Sequence, residues 1–176
     1  ASANGNLVRV ADATTGEITY FTTSAGNFYQ PLDDGETATD TFTYQIADSV
    51  GQTTIGTVTV TIEGSNDAPT PGFQLLSTDE DTSISGNVLP DFGASDIDGE
   101  PIAVFAIEGV PITTSDTFTN SSGDMLQILA DGTYTFTPGA IRQTGDDGGV
   151  SSPRINYTIT DGDAFSSVDF AVGIRG

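Results

Sequence analysis

The side chains of this sequence with spacing suited to chemistry fall in five short segments: Asp48, Asn66-Asp67, Asp79-Glu80-Asp81, Asp96-Ile97-Asp98-Gly99 and Asp161-Gly162-Asp163. In Asp96-Ile97-Asp98-Gly99 two carboxylates fall on one side of an extended bend and the glycine makes the turn. Asp161-Gly162-Asp163 repeats that arrangement, and Asp79-Glu80-Asp81 crowds three acids together. Oxygen donors of this kind suit a hard cation. Calcium takes six to eight oxygens from carboxylates, amide carbonyls and backbone carbonyls, and alternate aspartates in a loop let several converge on one ion. A D-x-D-G turn is equally an ordinary Asx-turn, in which the aspartate caps its own backbone, so each segment alone leaves both readings open. The helical calcium-hand pattern is not present in full anywhere in the sequence.

Composition narrows the chemistry further. The 176 residues carry 25 acids against four arginines, with no histidine and no cysteine, for a formal charge of −21 at pH 7. Without histidine there is no Ser-His triad, no imidazole ligand and no imidazole base. Without lysine there is neither Schiff-base chemistry nor a Lys-Asn cross-link. The absence of cysteine excludes disulfides and thiolate metal sites. So acidic a chain does not bind nucleic acid, whose phosphates are met by Lys and Arg. The same charge argues against anionic membrane surfaces, and no run reaches the length of a membrane-spanning helix. No signal-peptide pattern is present, so export depends on a signal outside this sequence. Self-repulsion on this scale destabilises a compact state unless cations bind. Paired carboxylates could support glycoside hydrolysis in principle, but no motif singles out a pair. The chain is not read as an enzyme.

The elements that must position these acids are strands. Thr, Val, Ile, Tyr and Phe alternate with polar residues between Gly, Asp, Asn and Pro clusters, and helical periodicity is almost absent. Strands are predicted at 6–11, 17–23, 41–47, 54–63, 72–76, 82–85, 101–107, 125–130, 133–137, 155–160 and 166–174. The fold class is all-β, and the turn spacing reads as β-sandwiches.

Phe42-Thr43-Tyr44-Gln45-Ile46-Ala47-Asp48 returns 113 residues later as Ile155-Asn156-Tyr157-Thr158-Ile159-Thr160-Asp161. The chain is a tandem repeat. Gly5–Ala11 matches Gly123–Leu129 in pattern, and Thr19-Tyr20-Phe21-Thr22 matches Thr133-Tyr134-Thr135-Phe136, whereas 71–122 has no counterpart in the first half. Residues 1–66 therefore read as the C-terminal part of a sandwich repeat without its opening strands, and 67–176 as a complete one. The chain is either a cut from a longer array, or the missing strands come from another segment. Exposed sheet edges permit a homodimer by strand exchange.

Thr39–Asp48, followed by the Thr/Val strand and Gly64-Ser65-Asn66-Asp67-Ala68-Pro69, resembles the VCBS or bacterial cadherin-like repeat of very large RTX adhesins. Glu80-Asp81-Thr82, Gly86-Asn87-Val88-Leu89 and Asp96-Ile97-Asp98-Gly99 resemble the opening of the next such repeat, although the loop 138–153 lies outside the usual pattern. The resemblance implies tandem Ig/cadherin-like sandwiches with Ca2+ at their junctions. It assigns Asn66, Asp67, Asp96 and Asp98 as junction ligands with Asp48 contributing, and Glu80, Asp81, Asp161 and Asp163 as a second site. It also implies a function: calcium-rigidified extender repeats, secreted to the bacterial cell surface, that pack against neighbouring repeats and hold a distal binding domain away from the cell. The alternative from another class is a carbohydrate-binding sandwich using Tyr20, Phe21, Phe28 and Tyr29. Those aromatics read more readily as core, and Asp146-Asp147-Gly148-Gly149 is a further ligand-facing candidate.

Overall fold

The computed structural model describes residues 1–22, 28–113, 116–139 and 150–175. Thr23, at the end of the second predicted strand, and the Asp146–Gly149 candidate lie outside them. The described residues form fourteen strands and no α-helix. By contacts the chain divides into Ala1–Asp67 and Ala68–Gly176, here units 1 and 2; the sequence reading divides it one residue earlier.

Unit 2 is an Ig-like sandwich. One sheet runs β6 (Ile84–Asn87), β11 (Thr133–Thr137), β10 (Met125–Ile128), β9 (Asp116–Thr119). The other runs β12 (Val150–Ser151), β14 (Phe165–Arg175), β13 (Arg154–Thr160), β7 (Ala103–Ile107), β8 (Val110–Pro111), and β5 (Leu75–Asp79) joins β14 in parallel. The period-two alternation decides what is buried. Ile155, Tyr157 and Ile159 of β13 face Leu126, Ile128, Tyr134 and Phe136 of the other sheet, with Phe170, Val172 and Ile174 beside them, in one core. That core also takes Val88, Phe92, Val104 and Ile107 from the segment with no counterpart in unit 1.

Unit 1 holds two hairpins among its described residues: β1 (Leu7–Asp12) with β2 (Glu17–Phe21), and β3 (Thr37–Ala47) with β4 (Thr53–Glu63). Val58, Val60 and Ile62 are half-buried and the threonines between them exposed, as the alternation predicts.

The turn that opens each hairpin pair is repeated in detail. Ser2 N–H donates to the Asn6 carbonyl at 3.0 Å and Gly5 N–H to the Ser2 carbonyl at 3.1 Å; Asn120, Asp124 and Gly123 make the same pair of bonds at 3.0 Å each. Gly5 and Gly123 sit at φ +82° and +80°, where only glycine is unstrained. This correspondence fixes Val8 on Leu126. Tyr20 pairs with Val8 and Phe136 with Leu126, so Tyr20 is the counterpart of Phe136 and not of Tyr134. The sequence alignment slipped by two residues because the β1–β2 hairpin carries an irregularity between Val10 and Asp12. A slip of two preserves the face and leaves no trace in the pattern.

The strand predicted at 72–76 begins instead at Leu75. A Cβ on Gly72 would lie 1.9 Å from the Phe92 carbonyl oxygen, so this stretch is held by close backbone approach and not by a ladder. Gly72→Ala is expected to cost unit 2 about 1–3 kcal/mol through forced backbone displacement, read as a lowered midpoint in urea.

Candidate metal centre

The pairing of β13 with β7 assembles the acidic site. Thr160 stands opposite Ala103 in an antiparallel ladder, so the residues after Thr160 lie beside those before Ala103. The turn starting at Asp161 and the loop Asp96–Glu100 therefore share one end of the sandwich. One carboxylate oxygen each from Asp96, Glu100 and Asp161 lie within 4.8 Å of one another, and all three residues are half-buried. Gly99 at φ +84° makes the bend that brings Glu100 back beside Asp96.

Local hydrogen bonds fix two of these side chains. Asp96 Oδ1 accepts the Asp98 N–H at 2.8 Å. Asp161 Oδ1 accepts the N–H groups of Asp163 at 2.8 Å and Ala164 at 2.7 Å. Both turns are the Asx-turns that a bland reading expects, each closed on Oδ1. Asp96 Oδ2 is buried and has no hydrogen-bond partner among the described residues, a cost that buried polar atoms rarely bear. Three carboxylates this close repel by about 1 kcal/mol per pair in water and several-fold more at the lower effective dielectric of a protein. A cation answers both costs. Ligands at 2.3–2.6 Å from calcium stand up to about 5 Å apart, and an oxygen-only set excludes the softer metals.

Of the other predicted ligands, two share this loop and turn and the rest fall elsewhere. Asp98 is half-buried in the same loop and Asp163 is exposed in the same turn as Asp161. Glu80 and Asp81 do not join Asp161 and Asp163 in a second site. Glu80 N–H donates to the Arg175 carbonyl at 3.0 Å, at the far end of β14 from Phe165, on the order of 30 Å away at about 3.4 Å per residue. Asp48, the counterpart of Asp161, caps its own hairpin by accepting Val50 N–H at 3.0 Å and Gln52 N–H at 2.8 Å. Among the described residues no three-acid group includes it. Asn66 and Asp67 are half-buried at the end of unit 1, with the Asn66 N–H 3.2 Å from Asp34 Oδ1. Glu100 is the acid of this group that the sequence reading passed over, although it closes the run Asp-Ile-Asp-Gly-Glu.

A second acid with a different purpose lies in unit 1. Asp40 is buried beneath the Ser2–Asn6 turn. Its Oδ1 accepts the N–H groups of Asn4 (3.0 Å) and Thr41 (2.8 Å). Its Oδ2 accepts the Tyr20 hydroxyl (2.6 Å), the Asn6 amide (2.9 Å) and the Ser2 hydroxyl. Both oxygens are filled by donors, so this is an anchor and not a metal ligand. Tyr20 stacks on Phe42 at 6.2 Å, and the Tyr29 hydroxyl accepts from Asn6 at 2.9 Å. These two of the four clustered aromatics thus commit their polar ends to the fold.

Burial pushes the Asp40 pKa up, but the hydrogen bonds from Ser2, Tyr20, Asn6 and Asn4 outweigh it and hold the carboxyl below its ordinary 3.8. Its contribution to unit 1 is therefore complete above 3.8 and lost as pH falls from there through the lowered folded value. Burial, reinforced by Asp40, raises the Tyr20 phenol above its ordinary 10.0. Unit 1 therefore also weakens as pH rises past 10, where the unfolded chain loses that proton first. Near-ultraviolet circular dichroism of the tyrosines against pH is expected to show both edges, and an Asp40→Asn variant should lose the acid one.

A family model described as "Bacterial Ig domain" matches residues 66–172, more than half of the chain. No curated protein matches the chain. Among the described residues no helix is long and apolar enough to cross a membrane.

Proposed function

The chain belongs to the bacterial Ig domain family, and from that premise we propose that it is a calcium-rigidified extender segment of a bacterial surface adhesin, of the VCBS or cadherin-like type found in RTX adhesins. The observation that carries the calcium reading is the convergence of Asp96, Glu100 and Asp161 with a buried Asp96 Oδ2 that has no partner among the described residues. Calcium supplies charge neutralisation there. It ties the β13–β14 turn to the loop ahead of β7, so binding free energy adds to the folding stability of the sandwich. Asp98 and Asp163, in the same loop and turn, are proposed as further oxygen donors, and the linker pair Asn66 and Asp67 as contributors to the same calcium dependence.

The role is mechanical. Bacterial Ig domains are commonly surface modules and typically not enzymes, and the self-repulsion of a chain of formal charge −21 works against its compact units until cations offset it. Calcium outside the cell then acts as the signal to stiffen a string of repeats that carries a binding domain outward. Calorimetric titration of the chain with calcium, with magnesium as control, tests the reading. Heat of binding at a defined stoichiometry is expected for calcium. A thermal melt left unchanged by chelator would defeat the proposal.

A further inference from the structure

Unit 1 exposes the face that unit 2 buries. With the repeats placed in register, Val10, Tyr44 and Ile46 correspond to Ile128, Tyr157 and Ile159. The first three are 57%, 38% and 56% exposed, and the second three 0%, 1% and 0%. Val10, Ala13, Ile18, Tyr44, Ile46 and Val58 line an open apolar cleft of about 460 Å³. The strand edges tell the same story. In unit 2, β13 carries β7 on its outer edge, β14 carries β5, and β11 carries β6. Their counterparts β3, β4 and β2 pair only within their own hairpins among the described residues.

The molecule itself shows what covers such a face. In unit 2 the cover is Val88, Phe92, Val104 and Ile107, all from the segment that unit 1 does not share. We propose that unit 1 is an acceptor for a polypeptide segment with the apolar pattern of residues 68–118, which would complete a second sandwich. The register follows from the repeat. The segment's equivalents of Ile107, Ala106, Val104 and Ala103 would pair with Tyr44, Gln45, Ile46 and Ala47, as they do with Tyr157, Thr158, Ile159 and Thr160. Its equivalent of β5 would add in parallel to β4, and that of β6 antiparallel to β2. An open, apolar-faced pair of edges otherwise invites unspecific pairing, and a cis segment meets them at high effective concentration.

The test grafts a copy of residues 68–118 directly ahead of Ala1 in the full chain, since Ser2 stands where Asn120 does. The readout is amide hydrogen exchange along Phe42–Ala47. Exchange in the grafted chain is expected to slow by about tenfold or more, as for edge strands that gain a partner, and Val104→Asp within the copy should cancel the effect. A shorter graft of residues 101–118, which supplies the β7 equivalent without those of β5 and β6, should protect β3 but leave the outer edges of β2 and β4 unprotected, and guards against a full graft that fails to fold. Two results would overturn the proposal. One is exchange unchanged by both grafts, or insensitive to Val104→Asp. The other is sedimentation of the unextended chain as a dimer with these amides already slow, which would make a second copy the cover.

Discussion

Phe170→Ala is expected to destabilise unit 2 by about 3–5 kcal/mol, the range for removing a buried aromatic ring. Phe170 lies on β14 at 1% exposure and touches three other rings, two of them on β11: Tyr134 edge-on at 4.9 Å, Phe136 at 6.0 Å and Phe92 at 6.1 Å. Tyr134 and Phe136 belong to the opposite sheet, so the ring is where the two layers interlock. Its loss removes transfer free energy, opens a cavity that the flanking strands cannot close, and forfeits aromatic pairings worth about 0.5–1.5 kcal/mol each. Against a total stability of about 5–15 kcal/mol, the melting temperature of unit 2 should fall by well over 10 °C, at roughly 4–8 °C per kcal/mol. The paired control uses the repeat. Ile159→Ala, at a fully buried position, should cost about 2–5 kcal/mol, whereas Ile46→Ala at its exposed counterpart should stay within about 0.5 kcal/mol. Circular dichroism melts of the three variants separate these outcomes. Equal losses at Ile46 and Ile159 would mean that the unit 1 face is not open.

The contrast between these two isoleucines also marks what the sequence could and could not tell. Alternation identifies both as inward-facing, because period two is a local property of the strand. It cannot say whether anything lies inward, since that depends on β5 to β7, segments distant in sequence. The same limit hid the composition of the acidic site. Asp96 and Asp161 each stand out as the first acid of a D-x-D turn, but their meeting, and the inclusion of Glu100, require the antiparallel register of β13 on β7. The expected partnership of Asp161 with Glu80 failed for the same reason, since an eleven-residue strand separates them. Asp40 was legible in principle. It is two residues from Phe42 and so on the same face of β3, yet an acid in a strand is by default assigned to solvent. The Gly86-Asn87-Val88-Leu89 motif is structural in fact: Asn87 Nδ2 donates to the Asp131 carbonyl at 2.9 Å and Val88 is fully buried. β8 and β9 were missed because the first is two residues containing a proline, and the second follows a short Thr/Ser/Asp run without strong apolar content.

Removing the acids at the end of β13 should have opposite effects with and without calcium, and that sign change is the sharpest expectation for the site. In chelator, Asp161, Asp96 and Glu100 repel one another, so Glu100→Gln relieves repulsion and should leave unit 2 as stable or slightly more so. In saturating calcium the intact site gains about 2.7 kcal/mol at a calcium concentration one hundred times the dissociation constant, or roughly 10 °C for a unit of this size. Glu100→Gln removes a charged ligand and should lose most of that gain. Asp161→Asn should behave similarly in calcium. In chelator it differs in one respect: its Oδ1 also caps the Asp163 and Ala164 N–H groups, and the amide oxygen of asparagine can keep those bonds. Asp48→Asn, at the same position of the unit 1 hairpin, should show no calcium-dependent difference, because its cap stands without two other acids. Melts of the four chains in calcium and in chelator read all of this directly. If Glu100→Gln and Asp48→Asn respond alike to calcium, the convergence of Asp96, Glu100 and Asp161 is an accident of an acidic surface.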